Sequence, residues 1–518
     1  MGPARHRLHP GVLLEVTVLD RSAFGSPLTT RPDQSTREVF AAVLHHVDQH
    51  GPESLTADAP ALLAAVVDGP GFATIADVAA DGSWTIHDDV LHPDPDRVTF
   101  SGLTITGPDG RVLEVRVPAE DWATMHLMFA ALAGAPDGFA LEMLAGSGAP
   151  DSSAAHATAL FDALAQAAWV EPNAPVEPVV PDPSTPGLRF AGHNLVVIGT
   201  EDTRVAIDPF LRPAVPDETG YRALTWRELG PIDAVLITHS HPDHFAPGSL
   251  LQIDPETTII VPRIERETIL SVDMASRLRQ LGFRRIVELG WNQSHEIDGI
   301  RVDALPFLGE QPTDGAVLHP EIRNAGNTYL VRTSTLSVAL LADSGRDHLG
   351  SATDLAAEAR ARFGPVDAVF CGYRGWRTYP AQLLFSSVAR YLLFVPRDRW
   401  DSRMSLMNDL DDVIDVAERW GAAILVPYAD GGAPWFWEIG LGPRLDEQPH
   451  EIEDFDPFPE RVVDAARTRV RAPSGGYLES PVEVRLLRPN DALVGWPTPR
   501  LVRDPDNSWP YPEHPTTI

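Results

Sequence analysis

Six residues, His239-Ser240-His241-Pro242-Asp243-His244, hold three imidazoles and one carboxylate directly behind the apolar run Ala234-Val235-Leu236-Ile237, with Thr238 as the hinge. A buried-type strand that ends in such a cluster offers two histidines from one edge of a loop and an Asp-His pair from its next turn. Neutral imidazole is the commonest protein ligand for metals, and a carboxylate beside it suits zinc, manganese or iron. The spacing therefore predicts two cations side by side rather than a polar surface loop.

The remaining composition removes competing chemistries. Cysteine occurs once in 518 residues, at Cys371, which excludes an internal disulfide, a cysteine-held iron–sulfur cluster and an all-thiolate zinc site. Following the apolar strand Val366-Asp367-Ala368-Val369-Phe370, Cys371 reads as a small buried hydrophobe. Lysine is absent, so Schiff-base and P-loop chemistry are excluded. The formal balance of 41 − 73 = −32 repels both a phosphate backbone and an anionic bilayer, so neither nucleic acid nor membrane is an expected partner. No apolar run approaches the roughly 18 residues that span a bilayer. The opening Met1-Gly2-Pro3-Ala4-Arg5 leads into a stretch broken by Glu15 and Asp20, which does not read as a secretory signal. A cytoplasmic location is the expectation.

These side chains need a scaffold. A proline-dense connector over 171–186 separates an N-terminal unit, 1–170, from the segment that carries the cluster. The unit reads as mixed α+β: helices near 36–44, 59–67, 121–132 and 154–169, and a hairpin over 98–117 that turns at Pro108-Asp109-Gly110. Substrate presentation, dimerisation and simple packing are its open roles. Strands are expected at 188–198, 203–207, 234–237, 258–261, 285–289, 299–307, 327–332, 336–342 and 423–426. A long amphipathic helix over 263–281 and helices at 351–363, 380–394 and 407–420 alternate with them. That order predicts two sheets face to face with helices outside, over 187–443. The Pro-rich remainder, 444–518, reads as a wrapping extension with a helix near 461–469 and a strand near 482–487.

The His239–His244 cluster resembles the signature of the metallo-β-lactamase superfamily, and Val205-Ala206-Ile207-Asp208-Pro209 is similar to that family's early strand ending in a buttressing Asp. The resemblance covers about 187–443 and implies an αββα sandwich. It implies that His239 and His241 serve one metal and that Asp243 and His244 serve the other. It also implies a bridging carboxylate at Asp343, which ends Leu340-Leu341-Ala342. Where most superfamily hydrolases place a third-motif histidine, Leu305-Pro306-Phe307-Leu308-Gly309 leads into Glu310. His295, further upstream, reads as a turn residue. The fifth motif lacks its histidine, leaving Asp430 or an open position.

Two histidines and a carboxylate with open positions suit Fe(II) and oxygen activation, although zinc also accepts Glu. Pro306 to Glu310, Ala342 to Ser344, and the Tyr428-Ala429 ending with Pro434-Trp435 are similar to the branch that contains the carrier-bound amino-acid β-hydroxylase of chloramphenicol biosynthesis. This implies two iron ions, an external electron donor, and hydroxylation of an amino-acid-like substrate, free or tethered to a carrier or peptide. Arg374 and Arg377 would read a substrate carboxylate, with Trp376 and Tyr379 as pocket walls or, equally, as core aromatics. The alternative is a binuclear zinc or manganese hydrolase of an ester, amide or phosphoester.

Overall fold

The computed structural model describes residues 5–17, 49, 55–69, 71–92, 100–135, 137–174, 182, 185–211, 224–268, 271–309, 325–373, 377–378, 397, 404–405, 407–429, 460–468 and 482–503. Two large sheets form the centre. The first has eight strands in the order Ile286–Leu289, Thr258–Pro262, Ala234–Leu236, Arg204–Ile207, Leu195–Gly199, Gly187–Gly192, Ala492–Val494 and Arg500–Val502. Its first four strands are parallel, so their C-terminal ends point the same way. The second has seven: Ser294–Ile297, Ile300–Pro306, Asn327–Arg332, Ser337–Leu340, Ala368–Cys371, Ile424–Pro427 and Glu483–Val484. Among the described residues no helix is long and apolar enough to cross a membrane.

Strand parity decides which side chains meet. Ala234 and Leu236 point between the sheets, where they join Val205, Ile207, Ile260, Val302, Tyr329, Val338 and Phe370 in one buried cluster. Val235 and Ile237 point the other way, into a cluster with Leu250, Leu278, Trp122 and Phe129. On the far side, Leu330, Val369 and Leu425 bury against helices Ala352–Phe363 and Leu410–Trp420. Asp409 caps the latter helix by accepting from the Asp411 and Asp412 amides, and Gly421 ends it at a φ of 75°. The result is the expected αββα sandwich.

The structure corrects four expectations. Among the described residues of the expected long helix, Met274–Leu281 is the helical part, because Asp273 caps its start through the Ser276 amide. The preceding loop instead buries an ion pair between Glu267 and Arg277, 2.7 Å apart. His295 lies within the strand Ser294–Ile297, paired with Val302, not in a turn. Residues 482–502, read as wrapping, add strands to both sheets. Glu171 and Pro172, assigned to the connector, pair with Arg7 and His6 in a two-stranded ladder. The expected helices at 36–44 and 380–394 lie outside the described residues.

The N-terminal unit packs its apolar face against the first sheet. Leu14, Val16, Leu103, Ile105 and Phe129 share one apolar cluster with Val197, Val235 and Ile259 of the first sheet. A Cβ added to Gly248 would lie 1.7 Å from the Leu14 carbonyl oxygen, so the turn Pro247–Leu250, which follows the histidine cluster, rests on backbone of the strand Leu13–Thr17. A fragment spanning 187–518 is therefore expected to aggregate and to bind an apolar dye strongly, and co-expression with 1–186 should rescue it. A soluble, dye-negative fragment would refute this shared core.

Candidate metal centre

Four loops leave the strand ends and converge, and each contains a non-glycine residue at positive φ: His193 (51°), Asp208 (47°), Ala342 (49°) and Ala429 (52°). Such backbone costs of the order of 1 kcal/mol or more per residue and persists where packing over-determines it. Here hydrogen bonds do so. The Ala342 amide donates to Tyr428 Oη (2.9 Å), and the Gly372 amide donates to the Ala342 carbonyl (3.0 Å). The Ala429 amide donates to the His193 carbonyl (3.0 Å).

Two groups of three potential ligands result: His239, His241 and Asp343, and His193, Asp243 and His244, with the ligand atoms of each group within 4.8 Å of one another. Asp343 Oδ2 lies 3.1 Å from His244 Nε2 and 3.7 Å from His239 Nε2, so one carboxylate faces both groups. His193 Nε2 lies 2.9 Å from Asp243 Oδ2. Of these six, five are buried and His241 is half-buried.

Asp208 fixes the imidazoles. Its Oδ1 accepts the Thr238 amide (2.7 Å), and its Oδ2 accepts the Thr238 hydroxyl (2.6 Å) and faces His244 Nδ1 (2.8 Å). The hydroxyl oxygen lies 3.0 Å from His239 Nδ1. Because the Thr238 hydroxyl donates its hydrogen to Asp208, its oxygen is left to accept from His239 Nδ1–H. Both histidines are thereby held through Nδ1 with Nε2 facing Asp343, the outer-shell arrangement that metal-bound imidazoles require.

Electrostatics agree. Burial holds His239 well below the ordinary histidine range, and the neighbouring His244 and His241 push the same way. For His244, burial disfavours the charged form, but Asp243, Asp343 and Asp208 outweigh it and raise the group well above its usual range. Three buried carboxylates face one readily protonated imidazole, an excess of negative charge that divalent cations neutralise. The donor set thus fits a pair of metal ions. Because an imidazole must be deprotonated to bind metal, uptake by the metal-free protein is expected to release protons, and affinity to fall as the pH is lowered. Calorimetry in buffers of differing ionisation enthalpy measures this; proton-independent uptake would contradict it.

The structure brings His239, His241, Asp243, His244 and Asp343 together. Glu310, Asp430, Arg374, Trp376 and Tyr379 lie outside the described residues, and of Arg377 only the backbone pairing with Ser405 is described. The segment leading to Glu310 is anchored beside Asp343: the Leu308 amide donates to Ser344 Oγ (2.9 Å) and the Gly309 amide to Asp347 (3.2 Å). Cys371 is buried, as expected, and burial raises its thiol.

His193 escaped the sequence reading. A continuous strand over 188–198 hides it, whereas the chain forms a hairpin of Gly187–Gly192 and Leu195–Gly199. Turn-forming Gly192 and Asn194 flank the histidine and were the available signal. The contact with Ala429 places His193 beside the end of the last parallel core strand, near where the fifth ligand was sought.

Residues 203–428 match the family model described as Beta-lactamase superfamily domain. The 4-amino-L-phenylalanyl-[CmlP-peptidyl-carrier-protein] 3-hydroxylase of Streptomyces venezuelae is 27% identical over 317 residues, 59% of this chain and 56% of its own. A Mycobacterium tuberculosis protein named for a Rieske 2Fe-2S iron–sulfur centre is 25% identical over 305 residues, 57% of this chain and 52% of its own. The chain thus spans about half the length of these curated relatives. The crystal structure of CmlA, a diiron β-hydroxylase from Streptomyces venezuelae, superposes with a TM-score of 0.57 at 19% identity, covering 94% of this chain and 98% of that one. At that identity the likeness speaks for the fold.

Proposed function

We propose, from the premise that residues 203–428 are a β-lactamase superfamily domain, that the chain is a binuclear-metal oxygenase that hydroxylates an amino-acid-like substrate with O2 in a biosynthetic pathway. The observation that carries this reading is the pair of mixed imidazole–carboxylate groups facing a shared Asp343. Similarity to a carrier-dependent 3-hydroxylase supports it and favours a substrate tethered to a carrier protein.

Two iron ions are the proposed cofactor. His239 and His241 with Glu310 would hold one, His193, Asp243 and His244 the other, and Asp343 would serve both. Asp430 is a further candidate for the second. When bound, the iron pair supplies redox chemistry with O2. The protein's share is to fix the imidazole tautomers through Thr238 and Asp208, and to keep the ligands buried. Arg374 and Arg377 would orient a substrate carboxylate, with Trp376 and Tyr379 beside it. The single cysteine of these 518 residues cannot supply the two thiolates of a Rieske centre, and an external electron donor is the proposed source of reducing equivalents.

Glu310 tests the reaction class. Exchanging it for histidine removes one negative charge from the ligand set. Glu310→His is expected to retain metal, to shift preference toward zinc, and to lose O2-dependent turnover by far more than it loses metal. Glu310→Gln should weaken binding without that shift. Metal content after growth in mixed-metal medium and O2 consumption after chemical reduction are the readouts. Unchanged preference with unchanged O2 consumption would remove Glu310 from the site, and with it the main sequence argument for an iron-tuned ligand set.

A further inference from the structure

Asp343 faces both groups of ligands, so a shift of its carboxylate would disturb both. The backbone on each side of it is pinned. Before it, Ala342, at a φ of 49°, donates to Tyr428 Oη and accepts the Gly372 amide. A Cβ added to Gly372 would lie 2.6 Å from the Ala342 carbonyl oxygen and 3.4 Å from Asp343 Oδ1, so the turn after Cys371 rests against the carboxylate. After it, Ser344 Oγ accepts the Leu308 amide (2.9 Å) and donates to the Leu308 carbonyl (3.2 Å).

Asn408 joins the two sides. It is 2% exposed and stands just before Asp409, the cap of helix Leu410–Trp420. Its Nδ2 donates to the Ser344 carbonyl (2.7 Å), and lies 3.3 Å from Cys371 Sγ and 3.5 Å from the Gly372 carbonyl oxygen. Backbone carbonyls only accept, so the NH2 end of the amide must face them. One hydrogen serves Ser344, and the other lies between Cys371 and Gly372. Burial raises the Cys371 thiol, so the sulfur that accepts is neutral. The approach is close: a Cβ added to Gly345 would lie 2.7 Å from Met407 Cα and 3.0 Å from the Asn408 nitrogen. The helix itself does not call for an amide here. The residue before a cap is often apolar and packs on the first turn, and a buried amide is costly unless its hydrogen bonds are made.

We propose that Asn408 is a positioning residue of the metal centre: by holding Ser344 and Gly372 together, its amide fixes the Asp343 carboxylate between the two ligand groups. The proposal rests on the paired-metal reading of that site, and not on which metal is native.

Metal-free full-length protein reloaded with manganese tests this, by equilibrium dialysis and electron paramagnetic resonance. Two manganese ions that share a carboxylate couple magnetically, and the coupling follows the placement of that carboxylate. The parent should take up two coupled ions. Asn408→Asp keeps the volume but replaces the NH2 donor with an oxygen. It should bind manganese at least tenfold more weakly, the scale of an outer-shell change, and lose the coupled signal. Asn408→Ala should do the same; should it not fold, the isosteric Asn408→Asp decides. Val416→Ala removes buried volume two turns further along the same helix. It should lower the melting temperature yet keep both the coupling and the affinity. Parental coupling and affinity in the Asn408 variants would overturn the proposal. So would loss of coupling in Val416→Ala, which would assign the effect to stability alone. A parent with one ion, or with two uncoupled ions, would overturn the paired site and the proposal together.

Discussion

Asp208→Ala is expected to empty the metal centre and to destabilise the chain by about 3–5 kcal/mol, the scale of breaking a buried charged network by removing one partner. Asp208 is fully buried and receives the Thr238 amide, the Thr238 hydroxyl and His244 Nδ1. Its removal leaves those donors buried without their acceptor, each at roughly 1–3 kcal/mol. It also releases the tautomers of both His244 and His239, since the latter is held through Thr238. Asp208→Asn keeps the volume but turns an amide NH2 toward one of those donors, and should cost about 10–100-fold in metal affinity, the usual effect of an outer-shell change. Thermal unfolding and metal analysis measure the two effects. A variant with parental melting temperature and full metal would show that Asp208 is only a strand-end residue.

His193→Ala is expected to halve the bound metal while the chain stays folded. The histidine sits on a hairpin turn, so its loss leaves both sheets intact, and Nε2 is the nitrogen that faces Asp243. The group around His239 and His241 does not use it. His241→Ala should empty the other group, and Asp343→Ala should lower occupancy of both. If His193→Ala retains all its metal and Asp430→Ala loses half, the second group has its ligands wrongly assigned.

The contrast between these residues shows what was legible. The His239–His244 cluster lies within one contiguous stretch, so its chemistry is visible without the fold. Asp343 stands out as a charge ending an apolar run, and the alternation of strands and helices was enough for two sheets with outer helices. His193 is different. A single histidine inside an apolar stretch carries no spacing, and only the hairpin geometry brings it to Asp243, fifty residues away. The length of the helix before Leu281 was misjudged because periodicity does not report that Asp273 can cap a later start or that Glu267 and Arg277 pair underneath. The shared core of the N-terminal unit was hidden for a similar reason. Proline density marks a break in secondary structure, but burial of Leu14 and Val16 against the first sheet depends on contacts between distant segments.

The most direct test of the binuclear centre is the metal content of full-length protein purified from medium that supplies iron, zinc and manganese together. Two irons per chain are predicted for the parent, with half that amount in His193→Ala. Stoichiometric zinc in the parent would contradict the oxygenase, and a single ion of any kind, unaffected by His193→Ala, would contradict the paired site itself.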